Sequence, residues 1–267
     1  IDTGYKFGQL ALSLIERGDS KEIQAGTIFL VNADVKHYRE HIQETLIPLQ
    51  SAYSIGLETG DLKFAALATY IYAYHAYLNG NNLVELSQQI ANYNQVLHKF
   101  KQINTLNLNQ VLQQNILNLL GESEDPCLLI GEAYNRDEML RIHEQANDAT
   151  AIFYVYFNQM ILNYLFENFE QALENAIEAE KYLVGVTANQ QKMQNWAHHA
   201  PMNFQHKYDL VEAEKNRILG QNWQAAELYD LTIKQAEENG FIQEIALANE
   251  LAAKFYLELG KEKVGKA

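Results

Sequence analysis

The sequence predicts an all-α fold built from antiparallel helix pairs. Turn-forming residues are scarce, with 3 prolines and 14 glycines in 267 residues, whereas a sheet protein needs such residues at short intervals. Apolar residues instead recur at spacings of three and four, as at Phe64, Leu67, Ile71 and Leu78. That spacing is the period of a helix.

Glycines divide the chain at regular places. Gly60 and Gly80 bracket one apolar segment, and Gly240 and Gly260 bracket another of the same span and similar content. The segment 4–18 is a shorter relative of both. Internal similarity of this kind is typical of a helical array.

A turn between two predicted helices indicates the kind of array. Leu219 and Gly220 are followed by Trp223, Ala226 and Tyr229, the order found in tetratricopeptide (TPR) repeats. The same order recurs at Leu165, Phe166, Phe169 and Ala172. We expect the alanine to let the paired helices approach closely and the aromatic residue to fill the gap beside it. The sequence therefore predicts one domain, residues 1–267, folded as a TPR-like α-solenoid that forms a curved right-handed superhelix.

The predicted helices follow from the apolar period and the breaks. They cover residues 5–17, 20–32, 35–59, 61–79, 82–103, 107–120, 126–131, 136–147, 149–166, 169–184, 188–199, 201–219, 222–239, 241–259 and the chain from 261 on. The segment 121–126 is predicted to be a loop in which Asp125 caps a helix that begins with Pro126.

Charge and composition exclude several classes of function. Asp and Glu number 34 against 20 Lys and Arg, a formal net charge of −14, so binding to a nucleic-acid backbone is not expected. No run of about 18 apolar residues predicts a membrane span. The single cysteine, Cys127, excludes an internal disulfide, fits a cytoplasmic protein and is expected to be a buried structural thiol. Because the chain starts at Ile1 without methionine, we expect it to be a piece of a larger protein.

The segment 195–215 contains two adjacent histidines, His198 and His199, just before Pro201. Proline suits the first turn of a helix, so one helix should end near His199 and another begin at Pro201. Consecutive helical side chains point about 100° apart, so the two histidines cannot face one ion. We expect a hydrogen-bonded helix corner with Trp196 packed into it; the alternative is a corner that faces a ligand.

Two other patterns share features with chemical sites. His37 and His41 stand at i and i+4 beside Glu40 and Glu44, a spacing that a metal site can use; a solvated amphipathic face is the favoured interpretation. The segment 56–61 has two glycines but lacks the Gly-Lys-Ser/Thr ending of a phosphate-binding loop. No catalytic residue, metal ligand or cofactor is predicted.

Aromatic stripes provide the candidate ligand or partner surface. One stripe lies within residues 64–78 and another within the run that starts at Ile152. Either stripe is part of the core or an aromatic lining on the inner curve of the solenoid. With the histidine corner, the candidate residues are Tyr70, Tyr74, Tyr77, Tyr154, Tyr156, Trp196, His198 and His199.

Several segments, among them "NWAHHAPMNF" and "ANELAAKFYLELGKEK", resemble the helical region of cyanobacterial multidomain signalling proteins. Those proteins combine a serine/threonine kinase, an AAA/STAND-type ATPase and a sensor histidine kinase. The resemblance covers essentially the whole chain and implies a non-catalytic region between the ATPase module and the histidine kinase. That family has a further helical segment where Thr187 meets Ala188. Either this protein lacks a helix pair there or residues are missing between 187 and 188, and the second interpretation is favoured.

The leading functional hypothesis is a sensor, regulatory and protein-interaction module that transmits a signal between the ATPase and histidine kinase parts. Its partner would be another domain of the same chain, a partner protein or peptide, or a small-molecule signal; a homodimer is also open. The alternative is a rigid spacer or dimerisation arm without a ligand. A freestanding enzyme would need a convergent cluster, for which His37, Glu40, His41 and Glu44 are the local candidates.

Overall fold

A computed structural model describes residues 2–18, 21–182 and 189–260 and is all-helical over them. Its 13 α-helices are α1 (Asp2–Arg17), α2 (Lys21–Asp34), α3 (Leu46–Thr59), α4 (Leu62–Leu78), α5 (Leu83–Lys99), α6 (Ile103–Leu119), α7 (Arg136–Gln145), α8 (Ala149–Leu165), α9 (Phe169–Glu180), α10 (Asn189–His199), α11 (Pro201–Ile218), α12 (Asn222–Asn239) and α13 (Ile242–Glu258). Two 3-10 turns, Lys36–Tyr38 and Ile42–Thr45, precede α3. The helix predicted from residue 261 on and the 187–188 junction lie outside the described residues.

Neighbouring helices pack against each other, as the all-α prediction requires. Helices α2, α4, α6 and α8 also pack in succession, each against the next in that series. The largest core cluster spans α2 to α6 and contains the fully buried side chains of Leu49, Ala73, Ile90 and Leu112. A second cluster joins α11, α12 and α13. The amphipathic faces therefore bury each other in stacked layers.

The glycine breaks are confirmed as helix ends. Gly60 has φ 82° and Gly240 has φ 74°, the left-handed conformation that glycine adopts without a Cβ penalty. The segments that follow, α4 and α13, are both 17 residues long. The break between α5 and α6 is different: Lys101 takes the left-handed conformation there, with φ 56°. Because no glycine marks this break, the helix predicted from residue 107 begins four residues later than α6, which starts at Ile103.

The single helix predicted for residues 35–59 is wrong. The chain makes two 3-10 turns before α3 begins, and Asn203 on α11 explains the break. The Asn203 amide nitrogen donates to the carbonyl oxygens of His37 and Glu40, both at 2.7 Å, and its Oδ1 accepts from the Ile42 N–H at 2.9 Å. A buried side chain from a distant helix thus satisfies backbone groups that a continuous α-helix would pair internally.

The helix predicted for residues 126–131 is also wrong. Among the described residues this segment is a turn, followed by an isolated antiparallel bridge between Ile130 and Asn135. Asn118 on α6 donates to the Leu128 carbonyl at 2.5 Å. Gln114, one turn earlier on α6, accepts from the N–H groups of residues 133 and 134. Asp125 does not cap a helix here; it accepts from the Cys127 N–H at 2.8 Å in a local turn.

The expected role of the TPR-like aromatic residues is wrong as well. Trp223 is 73% exposed and Phe169 is 52% exposed, so neither fills a gap between paired helices. Ala225 and Tyr229, two of the fully buried residues of α12, stand at i and i+4 on its inward face. Trp223 precedes Ala225 by two residues, about 200° around the helix, and therefore faces outward.

Distant parts of the chain also meet, along a contact that we call the seam. The seam joins residues 37–42 and the end of α4 to helices α10 to α13. His41 Nε2 donates to the Asn239 carbonyl at 2.9 Å, and Gln243 Nε2 donates to the Leu78 carbonyl at 2.6 Å. Ile42, Ala236 and Phe241 bury one another beside these bonds. The helices therefore make contacts beyond the nearest-neighbour stacking of an array.

Candidate functional site

Of the five tyrosines predicted to form a surface, Tyr70 is buried and the other four are half-buried. Tyr70 is 4% exposed, and its ring centroid lies 5.1 Å from that of Tyr74 and 5.4 Å from that of Tyr154. Asn158 on α8 donates to the Tyr74 hydroxyl at 2.8 Å. Burial raises the pKa of Tyr70 and Tyr74 well above the ordinary value, and burial with nearby Glu244 raises that of Tyr77 to about 12. The contacts of Tyr70 and Tyr74 with Tyr154 and Asn158 join α4 to α8.

Tyr156 stands apart from that cluster. Its ring stacks on Tyr182 with centroids 6.4 Å apart, and the Arg136 guanidinium lies 5.6 Å from its centroid. The side chain is half-buried. The structure therefore does not bring Tyr156 together with the other predicted surface tyrosines.

The predicted helix corner is confirmed. Helix α10 ends at His199 and α11 begins at Pro201. Trp196 is half-buried, with its ring 5.8 Å from that of Tyr38 and 5.6 Å from that of Phe204. His198 and His199 contact each other edge to face, with His198 exposed and His199 half-buried. The corner is thus packed into the seam by Trp196.

The residues His37, Glu40, His41 and Glu44 do not form the helical i, i+4 site that their spacing allows, nor a solvated helix face. Burial lowers the pKa of His37 to about 4, and its ring lies 5.4 Å from that of His75. His41 uses both ring nitrogens, since Nδ1 accepts from the backbone N–H of residue 43 while Nε2 donates across the seam. Glu40 accepts from the Tyr5 hydroxyl.

Within residues 2–18, 21–182 and 189–260, no group of three or more His, Cys, Asp or Glu residues is placed to hold a metal ion. Cys127 is half-buried rather than buried, and burial followed by nearby Asp125 raises its pKa. A raised thiol pKa disfavours the nucleophilic thiolate.

A half-buried ionic cluster beside the seam was not predicted. Lys207 on α11 pairs with Glu244 on α13, lies 3.0 Å from His206 Nε2, and sits 4.4 Å from the ring centroid of Phe241. Burial lowers the pKa of Lys207, opposed by Glu244, and lowers the pKa of His206 to about 3. Lys207 and Glu244 are 37 residues apart in the sequence, so no local pattern predicts their contact.

An apolar groove on α8 and α9 was not predicted either. Among the described helices, α8 is the one against which α9 packs extensively. The outward side of α9 carries Phe169, Leu173 and Ile177, which are 52%, 63% and 49% exposed. They stand at i, i+4 and i+8 and so form one stripe along the helix.

The groove beside that stripe has a volume of 520 Å³. Its walls are Met160 and Leu165 of α8, Phe169 and Leu173 of α9, and Leu247 of α13. Every lining residue is apolar except for one tyrosine. This contiguous exposed apolar surface is a candidate site of association.

No protein-family model matches the chain, and no curated protein matches it significantly. No helix among the described residues is both long and apolar enough to cross a bilayer.

Proposed function

We propose that the chain is a non-catalytic regulatory and protein-interaction module of a multidomain signalling kinase, placed between its ATPase and histidine kinase parts. In this proposal the helices form one TPR-like, right-handed array, and the protein works in the cytoplasm. The observation that carries the proposal is the apolar groove on α8 and α9. Leu173 and its neighbours keep large apolar side chains in water, a cost that binding of a partner removes.

The succession of α2, α4, α6 and α8 supports the array, because each of these helices packs on the next as in stacked repeats. The resemblance of the sequence to the helical region of the signalling kinases supports the placement. The seam is an addition to such an array, since it brings the last helices back to residues 37–42.

A second candidate function, a rigid spacer or dimerisation arm, is favoured by the seam itself. The hydrogen bonds between distant parts of the chain, and the half-buried ion pair between α11 and α13 beside them, resist the flexing that an open array allows. A spacer of this kind would hold the neighbouring domains at a fixed distance without binding a ligand.

Thermal denaturation distinguishes the two functions. The midpoint of the purified chain is measured alone, with nucleotides, sugars, amino acids and divalent metals, and with the ATPase module or histidine kinase part of the signalling kinase. A partner that binds only the folded state raises the midpoint by mass action. We expect the added modules to raise it. Unchanged midpoints with every addition would instead support the spacer.

A further inference from the structure

We propose that the groove on α8 and α9 binds a basic amphipathic helix. The inference rests on the proposed function and names the chemical class of the partner. Helix packing through apolar side chains at i, i+3 or i+4 and i+7 is a common mode of peptide recognition. The stripe from Phe169 to Ile177 extends over eight residue steps, about 12 Å at 1.5 Å per residue, which is slightly more than two turns of a docked helix.

The chemistry of the groove favours a helix over an extended peptide. Its walls offer apolar side chains such as Met160, Leu165 and Leu173 and one tyrosine hydroxyl. An extended chain laid there would leave its backbone N–H and C=O groups without partners, which is costly. A helix satisfies those groups internally and presents only side chains to the groove.

The charge around the groove favours a basic partner, because Lys254, which lies 6.0 Å from the Phe169 ring centroid, is already paired with Glu167 and Glu250. Helix α9 carries four glutamates and no basic residue, and α8 carries no charged residue at all. The glutamates are Glu170, Glu174, Glu178 and Glu180. Lys or Arg residues beside the apolar face of a docked helix would approach this acidic side and speed the encounter at low salt.

The same charge opposes a second copy of this chain as the occupant. Two α9 helices facing each other would bring their glutamates together, and like charges across an interface disfavour pairing. The whole chain carries a net charge of −14, which adds to the repulsion. A basic helix from a different protein or domain meets neither obstacle.

The test uses three fluorescein-labelled synthetic helices of about four turns and the intact 267-residue chain. The first has a Leu/Phe stripe flanked by lysines, the second has glutamates in place of the lysines, and the third has the first composition with the stripe scattered. Fluorescence anisotropy gives each Kd at low and moderate salt. We expect the first peptide to bind at least tenfold more tightly than either other peptide, with binding weakened by salt.

Two matched variants locate the binding. Leu173→Asp places a charge in the groove and should weaken binding of the first peptide at least tenfold. Leu14→Asp changes an apolar side chain of similar exposure, 59%, on α1 and should change it less than twofold. Circular dichroism confirms that both variants stay folded. Equal binding of all three peptides, no binding, or full binding to the Leu173→Asp variant would each overturn the proposal.

Sedimentation velocity tests whether a second copy of the chain occupies the groove instead. A dimer that forms in the wild-type chain and is lost in Leu173→Asp would assign the groove to a second copy and overturn the basic helix. The two proposals fail separately. If the peptides do not bind while the ATPase or histidine kinase module still raises the thermal midpoint, the interaction function stands and the groove assignment falls. If peptide binding is confirmed while neither module raises the midpoint, the placement in the signalling kinase falls.

Discussion

Asn203 is the side chain on which the corner at residues 37–42 depends, and its replacement by alanine should destabilise the protein. The side chain is buried and makes three hydrogen bonds to backbone groups of that corner. A buried hydrogen bond contributes about 1 kcal/mol net, and a backbone group left unpaired in the interior costs about 1–3 kcal/mol. Asn203→Ala should therefore lower the free energy of unfolding by at least about 3 kcal/mol.

Urea denaturation measures this loss, followed by the fluorescence of Trp196. The chain has two tryptophans, so a Trp223→Phe background leaves Trp196, whose ring contacts Tyr38 at the same corner, as the only reporter. Asn249→Ala, an exposed asparagine on α13, is the matched control and should change the free energy by less than about 0.5 kcal/mol.

A second variant separates the donor bonds from the acceptor bond. Asn203→Asp keeps an oxygen to accept from the Ile42 N–H but turns a carboxylate toward the carbonyl oxygens of His37 and Glu40. It should be at least as destabilising as alanine. If Asn203→Ala unfolds within about 0.5 kcal/mol of the parent, or if Asn203→Asp matches the parent, the corner does not depend on these bonds.

Two more predictions concern the pH dependence of stability and the replacement of a glycine. Burial lowers the pKa of His75 and His206 to about 3. Between that value and about 6.5 the unfolded chain therefore binds more protons than the folded chain, and the thermal midpoint should fall as the pH drops through this range. His75→Gln should make the midpoint less dependent on pH, and an unchanged dependence would contradict the role of His75. A Cβ at Gly80 would lie 2.4 Å from Gln243 Oε1, whereas at Gly60 it would meet nothing within 4 Å, and both glycines have positive φ. The Gln243 side chain would have to move and give up its hydrogen bond to the Leu78 carbonyl, so Gly80→Ala should lower the free energy of unfolding by about 1 kcal/mol more than Gly60→Ala. Equal losses in urea denaturation would show that this bond adds nothing to stability.

Local patterns predicted the helices because their causes are local. The apolar period sets each helix face, and glycine at a left-handed position ends the helix. The two failed helices depend on a side chain of another helix rather than on local spacing. Asn203 reaches residues 37–42 from more than 160 positions away, and Asn118 organises the turn after Pro126 through a tertiary bond. Neither partner can be paired with its target from sequence spacing.

The candidate site shows the same limit in another form. The apolar series Phe169, Leu173 and Ile177 is visible in the sequence, but its spacing does not say whether another helix covers it. The tyrosine stripe has equally regular spacing, yet Tyr70 is buried by Tyr154 of a helix 84 positions away. The periodicity of a sequence identifies the apolar face of a helix. Only the tertiary structure shows whether another helix of the same chain packs on that face.

Helix α13 connects the two surfaces that the sequence did not reveal. In its first turn, Gln243 donates to the Leu78 carbonyl across the seam, and Glu244 pairs with Lys207 of α11 beside it. One turn later, Leu247 forms part of the groove wall. A helix docked in the groove would press on the same rigid element that closes the seam. Because coupling between sites requires an element that both sites bias, α13 is the part of this fold through which binding at α8 and α9 would reach the corner at residues 37–42.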